Sequence, residues 1–132
     1  MSEHISQQWI RAAATTASAK NFPAHMDLIS KRVNLVGVPG FEHIGYDEWA
    51  AQCKHEFEQG ILKSVRYDGF KLVAATATRV MFKTFETVEG SDGTINAHGI
   101  EVLLEQEDDG QWRLVQERVL PADEAEHDRL LH

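Results

Sequence analysis

The sequence predicts a single α+β domain in which helices come first and a run of β-strands follows. Before Gly60, apolar residues recur every three or four positions, the spacing of a helix face; after it they alternate with polar residues, the spacing of a strand. Asp92-Gly93 and Asp109-Gly110 are dipeptides that tight hairpins favour, because both central positions need positive φ. This order indicates helices on one face of a mainly antiparallel sheet.

Three helices are expected in the first half of the chain. The first covers 2–19, and a second, short helix covers 23–29, because proline suits the first turn of a helix. The third covers 47–59, since Asp47 can cap its start and Gly60 stands where a left-handed residue ends a helix.

Strands account for most of the remaining chain. Val33–Val36 is predicted to be a short strand, preceded by a Ser30-Lys31-Arg32 linker and followed by an irregular end at 37–40. The later strands are expected at Leu62–Ala75, Arg79–Glu89, Ile95–Glu105 and Gln111–Leu120. We expect the last three to form a meander. Asp68-Gly69 is expected to be a bulge in one long bent strand, because the runs beside it are too short for two strands.

Length and charge bound the possible functions. The 132 residues fit one domain, expected to cover 1–121, with 122–132 as a frayed acidic tail. The formal net charge of −8 disfavours nucleic acid as a partner, because binding to phosphate backbones depends on Lys and Arg.

The compartment is inferred from cysteine content and apolar runs. The single cysteine, Cys53, rules out an internal disulfide and fits a reducing compartment, with the side chain expected to be buried. There is no apolar run of about 18 residues and no signal-peptide pattern. We therefore expect a cytoplasmic protein that does not bind membranes.

Several chemistries lack their sequence patterns. The seven histidines are scattered and show no HxH, HExxH or His-Cys spacing, so no metal is expected. Gly37–Gly40 lacks the length and the lysine of a phosphate-binding loop, and no serine lies in a nucleophile elbow. We accordingly expect no cofactor.

A bent sheet roofed by helices would form a cone with a small-molecule pocket inside, and one parity of each strand would face that pocket. His98 shares a face with Ile100 and Val102, so it is predicted to point inward. It could act there as a base near neutral pH or serve as a hydrogen-bonded core residue.

The last strand contributes two further candidates. Gln116 and Arg118 share a face with apolar Trp112, Leu114 and Leu120, so both are predicted to reach the pocket. An inward guanidinium needs a carboxylate, supplied either by an anionic group on a ligand or by the protein as a structural ion pair.

Asp27 and Tyr46 are the candidate ligand-binding residues of the helical half. Asp27 lies near His25, but residues two apart on a helix point to different sides, which argues against a dyad. Tyr46 could offer its hydroxyl to the pocket or staple the start of the third helix.

Three stretches, taken in order, resemble the nuclear transport factor 2-like superfamily, which includes ketosteroid isomerase, SnoaL-type polyketide cyclases and scytalone dehydratase. Gln8–Ala13 resembles its first-helix pattern, Leu28–Gly40 its second helix and strand, and Asp109–Val115 its common ending. The resemblance implies a cystatin-like cone, with three N-terminal helices packed on a strongly curved, mainly antiparallel sheet around a hydrophobic pocket.

The resemblance does not extend to the catalytic residues of the isomerases. The general-base aspartate of the isomerases precedes a Pro-Val-Gly turn, and that position falls on Gly37, which cannot take a proton. Their oxyanion-hole tyrosine falls on Trp9, which can donate a hydrogen bond but is not a practical acid. Trp9 is kept as a candidate ligand-binding residue.

One predicted strand has apolar residues on both faces, which suggests that a second copy of the chain covers one of them. In Arg79–Glu89, Met81 and Phe85 face away from Val80 and Phe82. A homodimer formed sheet to sheet, as is common in the superfamily, would bury that second face; the alternative is that the third helix covers part of it.

Two functions remain open. One is a SnoaL-like domain that binds a small hydrophobic molecule, with or without lyase, isomerase or cyclase activity through His98. The other is a non-catalytic dimeric module that binds a metabolite or a protein.

Overall fold

The structure is a computed structural model that describes residues 2–38 and 40–127. It contains the helices α1 (Ser2–Ser18), α2 (Phe22–Met26), α3 (Tyr46–Glu58) and α4 (Ala122–His127). The strands are β1 (Ile29–Val36), β2 (Leu62–Ala75), β3 (Arg79–Gly90), β4 (Ile95–Gln106) and β5 (Trp112–Val119). None of the described helices is both long enough and apolar enough to span a bilayer.

The α+β prediction is confirmed. The five strands form one curved sheet in the order β1-β5-β4-β3-β2. β2 to β5 are an antiparallel meander, which confirms the pairing predicted for the last three strands, and β1 adds to the edge as a parallel neighbour of β5. The helices α1, α2 and α3 pack on one face of this sheet, so the inner faces of β3, β4 and β5 form the centre of the core.

The chain between α2 and β1 differs from the prediction. The second helix ends at Met26 rather than Ile29, and Ser30-Lys31-Arg32 is not a linker but part of β1. Ser30 is fully buried, and its hydroxyl donates a hydrogen bond of 2.8 Å to Glu107. Polar residues there suggest a loop by composition, but a partner 77 positions away stabilises them in a strand.

The strand pairing shifts register at several points in the sheet, and two of these β-bulges bear on the predictions. The bulge predicted at Asp68-Gly69 is confirmed, since pairing with β3 shifts between Asp68 and Lys71, and the Thr84 hydroxyl donates to the Gly69 carbonyl at 2.6 Å. A second bulge was not predicted. In β5, Leu114 pairs with Leu104 and Gln116 pairs with Leu103, so the residue between them, Val115, is extra.

The segment after Pro121 begins as a helix rather than a frayed tail. Glu124 of α4 accepts hydrogen bonds from Arg118 at 2.8 Å and pairs with Lys83 at 3.2 Å, which anchors the helix start to the outer face of the sheet. The rest of the predicted tail, 128–132, lies outside the described residues.

Candidate functional site

The helices and the inner face of the sheet enclose a cavity of about 160 Å³, here called the cone cavity. Its walls combine aromatic rings with titratable groups. The aromatic residues are Trp9, Trp49, Phe57 and Tyr67, and the polar residues are His25, Cys53, Glu56, Glu86 and Glu117. A mostly apolar cavity with a few convergent polar groups is the usual form of a small-molecule site.

Glu117 is the most unusual group in the cavity. The bulge at Val115 reverses the parity of β5 and turns Glu117 inward, where the residue is only 7 % exposed. Within the described residues, no hydrogen bond or ion pair reaches its carboxyl group. Burial, together with the charge of Glu86, raises the pKa of Glu117 well above its ordinary value. Burial therefore favours the protonated, uncharged form of the Glu117 carboxyl group.

Tyr67, Glu86 and His98 form a row across three strands. Glu86 of β3 is the direct cross-strand partner of Tyr67 on one side and of His98 on the other. A side-chain hydrogen bond joins Tyr67 to Glu86, and burial, the largest cause, raises the tyrosine pKa well above its usual value. His98 Nε2 lies 3.5 Å from Glu86 Oε1. The row connects the cavity wall to a partly exposed histidine.

His25 reaches the cavity from α2. The Thr16 hydroxyl lies 2.8 Å from the Ala12 carbonyl oxygen and 2.8 Å from His25 Nδ1. When the hydroxyl donates to the carbonyl, its oxygen accepts the hydrogen on Nδ1, and Nε2 carries the free lone pair. Burial lowers the pKa of His25, an effect partly offset by Glu86, so the imidazole is neutral at pH 7. A neutral imidazole with a free nitrogen is a base.

Cys53 and Trp9 make structural contributions to the same walls. Burial raises the pKa of the Cys53 thiol to about 12, so it is neither a thiolate nor a nucleophile at neutral pH. The Trp9 indole donates its hydrogen to the Leu28 carbonyl at 3.1 Å. Trp9 can therefore offer its ring to a ligand, but its N–H is already used.

Solved structures resemble this architecture. A protein from Shewanella oneidensis MR-1, described as NTF-2 like and of unknown function, superimposes with a TM-score of 0.73 at 14 % identity, over 90 % of this chain and 98 % of that chain. The chain has the nuclear transport factor 2-like fold.

Other solved structures support the same assignment. One from Novosphingobium aromaticivorans, assigned as a scytalone dehydratase, gives a TM-score of 0.71 at 9 % identity and covers 89 % of this chain and 81 % of that chain. One from Nostoc punctiforme, of unknown function with a cystatin-like fold, gives 0.65 at 10 % identity, over 89 % and 88 % of the two chains. By sequence, no protein-family model and no curated protein matches the chain.

Within this nuclear transport factor 2-like fold, the inward prediction for Gln116 and Arg118 is wrong. The bulge at Val115 places both on the outer face, where the Arg118 guanidinium binds Glu101 of β4 and Glu124 of α4. Arg118 is thus a structural ion-pair partner, the alternative that the sequence left open. A one-residue shift in a strand moves every later side chain to the opposite face.

Asp27 and Tyr46 lie away from the cone cavity. Both line a more open surface hollow of about 680 Å³ beside α2 and β1. Asp27 is exposed and forms an ion pair of 3.0 Å with Arg113, which also binds Glu107 and Asp109. These ion pairs occupy the carboxylates around Arg113 and join the end of α2 to the β4–β5 turn. Their role is therefore structural.

The fold brings together residues that sequence reasoning passed over. His25 was considered only as a partner of Asp27, and Tyr67, Glu86 and Glu117 were not considered. The inward position of Glu86 could have been predicted from the sequence, because Glu86 shares strand parity with buried Val80 and Phe82. In the described part of the chain, no cluster of three or more His, Cys, Asp or Glu side chains is arranged to hold a metal ion.

Proposed function

We propose that the protein binds a small hydrophobic molecule in the cone cavity and acts on it by general acid–base chemistry, as a cofactor-independent lyase or isomerase. One observation carries the proposal: Glu117, buried without a protein partner and with a raised pKa, shares a cavity with a neutral His25. Two groups whose environments push their pKa values apart can serve as acid and base at the same pH.

Dehydration of a β-hydroxy ketone illustrates the chemistry. His25 Nε2 takes a proton from the carbon next to the carbonyl, and the electrons of that C–H bond form the new double bond. The bond between the β-carbon and its hydroxyl breaks, and the hydroxyl leaves as water with the proton of Glu117. The imidazolium then returns a proton to the carboxylate, directly or through solvent, which restores both groups. Isomerisation would use the same base, with the proton returned to a different carbon.

The fold adds support from one neighbour. The Novosphingobium aromaticivorans structure is assigned as a scytalone dehydratase, and dehydration is a reaction that an acid and a base suffice to perform. At 9 % identity that neighbour supports the class of chemistry and not the substrate.

The test uses 4-hydroxybutan-2-one, which loses water to give but-3-en-2-one. This probe has as many non-hydrogen atoms as benzene, which a cavity of about 150 Å³ accommodates. We expect Glu117→Gln and His25→Gln each to lower the protein-dependent rate by about 10²–10⁴-fold. Glu58→Gln, an exposed carboxylate on α3, is the control and should leave the rate unchanged.

Two outcomes would contradict the proposal in different ways. If the Glu117→Gln variant turns over the probe at the wild-type rate, Glu117 is not the acid. Binding of the probe without turnover would leave a small-molecule-binding protein and reject the catalytic part.

We also propose that two copies associate through the outer face of the sheet. Met81 and Leu103, direct cross-strand partners on that face, line a shallow apolar depression of about 180 Å³ with Ala74. Val73 on the adjoining edge strand is 44 % exposed. Apolar surface of this kind on a sheet is commonly buried in an interface.

A further inference from the structure

A larger hollow adjoins the cone cavity at α3. This outer groove has a volume of about 460 Å³. It is lined by Leu35, Phe41, Ile44, Glu48, Trp49, Gln52, Cys53 and Glu56. Trp49, Cys53 and Glu56 also line the cone cavity, so three side chains of one helix separate the two spaces. A ligand that passes these side chains would occupy both.

The outer groove has an uncovered aromatic residue at its edge. Phe41 is 61 % exposed, the highest value among the large apolar residues described. The loop that carries it is tied down beyond Phe41, because Leu35 and Ile44 exchange two backbone hydrogen bonds of 2.9 Å. These bonds close the loop that carries Phe41, which lines the groove while most of its surface stays exposed.

The charges around both spaces have one sign. Glu48 and Glu56 line the outer groove, Glu56 and Glu86 line the cone cavity, and no Lys or Arg is among the described lining residues of either. A carboxylate or phosphate placed there would be desolvated against glutamates without a compensating cation. Anionic ligands are disfavoured on this ground alone.

Volume sets the length of the ligand. The cone cavity holds a molecule of about the size of benzene. The outer groove offers almost three times that volume and contributes mainly apolar surface from Leu35, Phe41 and Ile44. The polar groups that can act on a ligand are in the smaller space.

We propose that the ligand is an elongated molecule without an anionic group, whose oxygen-bearing head occupies the cone cavity and whose apolar tail lies in the outer groove against Phe41. This inference rests on the proposed function, because it takes the head to be the part that meets His25 and Glu117. Trp49 and Cys53 then contact the middle of the ligand, and Phe41 is a specificity residue for the tail.

The test compares straight-chain methyl ketones from butan-2-one to undecan-2-one with carboxylates of equal length, by calorimetry on the full chain. Each methylene placed in an apolar site should tighten binding by up to about fourfold. We expect ketone affinity to keep rising after the chain outgrows the cone cavity. Each carboxylate should bind at least about tenfold more weakly than its matched ketone, because it lacks a cation to pair with.

Variants confined to the outer groove locate the tail. Phe41→Ala and Gln52→Trp change residues that line the groove and not the cavity. Both should weaken undecan-2-one by about tenfold or more, since several methylenes lose their contacts, and leave butan-2-one unchanged. Gln59→Trp, just past α3 and outside the groove lining, is the control for the bulky ring.

The outcomes separate this inference from the proposed function. If butan-2-one binds but affinity stops rising with length, the tail site is rejected while the cavity function stands. If carboxylates bind as well as ketones, the charge argument is rejected. If none of the ketones binds, the proposed function and the inference fall together.

Discussion

Glu117 is buried without a partner, so it should lower the stability of the fold at neutral pH. Its folded pKa is raised, so the folded state holds a proton that the unfolded state releases above its ordinary pKa near 4.5. The stability associated with that proton is full below this value and is lost as pH rises towards the folded pKa. Catalytic sites commonly carry such a cost.

We expect Glu117→Gln to raise the melting temperature at pH 7.5 and to have a much smaller effect at pH 4. Glutamine keeps the shape but cannot ionise, and a gain of about 1 kcal/mol would raise Tm by roughly 4 °C in a domain of this size. Calorimetric scans across pH measure the difference. Exposed Glu58→Gln is the control, and a gain independent of pH would show that Glu117 is not a buried acid.

His25 sets the acidic limb of activity. Its pKa is lowered below 6.5 by burial, so the base stays neutral until the solution is more acidic than that, and Glu117 stays protonated up to its raised pKa. We expect the rate of 4-hydroxybutan-2-one dehydration to be bell-shaped with pH, with an acid limb centred below pH 6.5 and an alkaline limb set by the raised pKa of Glu117. An acid limb with its midpoint at or above pH 6.5 would contradict this role.

Thr16 should act as a positioning residue for His25. Thr16→Val removes the oxygen that accepts the Nδ1 hydrogen, so Nε2 is no longer fixed as the base. A hydrogen bond worth about 1 kcal/mol corresponds to about fivefold in rate. Thr16→Val should lower kcat and shift the acid limb of the pH–rate profile. Thr15→Val, on the exposed side of α1, should change neither.

Some site residues were within reach of sequence reasoning and others were not. Glu86 and His98 follow the alternation of regular strands, so parity places both on the inner side. Glu117 does not, because the extra residue at Val115 reverses parity in the last strand and no local pattern in the sequence indicates it. The same reversal made the inward assignment of Gln116 and Arg118 wrong.

Among the elements, the β-meander was the most predictable and β1 the least. Turn dipeptides at 92–93 and 109–110 marked the hairpins, but the expectation of positive φ at both positions was wrong, because only Gly93 (φ 89°) and Gly110 (φ 83°) have it. The left-handed Gly60, with φ of 65°, ended α3 as predicted. The start of β1 depends on long-range partners such as Glu107, which local propensity does not contain.

Gly37 connects β1 to β5 by close backbone approach. Its φ is +87°, and a Cβ there would lie 2.7 Å from the Val119 carbonyl oxygen. An aspartate at this position, as in the isomerases, would not fit. The exclusion of that chemistry therefore has a steric reason besides the missing carboxylate.

We expect Gly37→Ala to lower the free energy of unfolding by about 3 kcal/mol, combining left-handed strain with the clash. Gly40 is the matched control, with φ of +88° and open space where the alanine methyl group would lie. Gly40→Ala should cost only about 1 kcal/mol. Urea unfolding with unchanged m-values measures both, and equal losses would show that the contact with Val119 is unimportant.

At the scale of the whole molecule, the helical side and the sheet side differ in what they expose. The helices roof the cone cavity, while the sheet presents an apolar row at Met81 and Leu103 next to the ion pairs of Arg118. We expect the protein to be a dimer by light scattering and Met81→Lys to shift it to a monomer, since a buried lysine without a partner is costly. Glu58→Lys on the helical side is the control, and a wild-type monomer at all concentrations would reject the interface.

Glu117 and Arg118 are adjacent in the chain and opposite in charge, and the surplus residue at Val115 decides which of them faces the interior. If the bulge lay after position 118, the same sequence would place the Arg118 guanidinium in the cone cavity and the Glu117 carboxyl group on the surface. A one-residue shift in the pairing of one strand can thus exchange a carboxyl group for a guanidinium in the interior, with no side chain replaced.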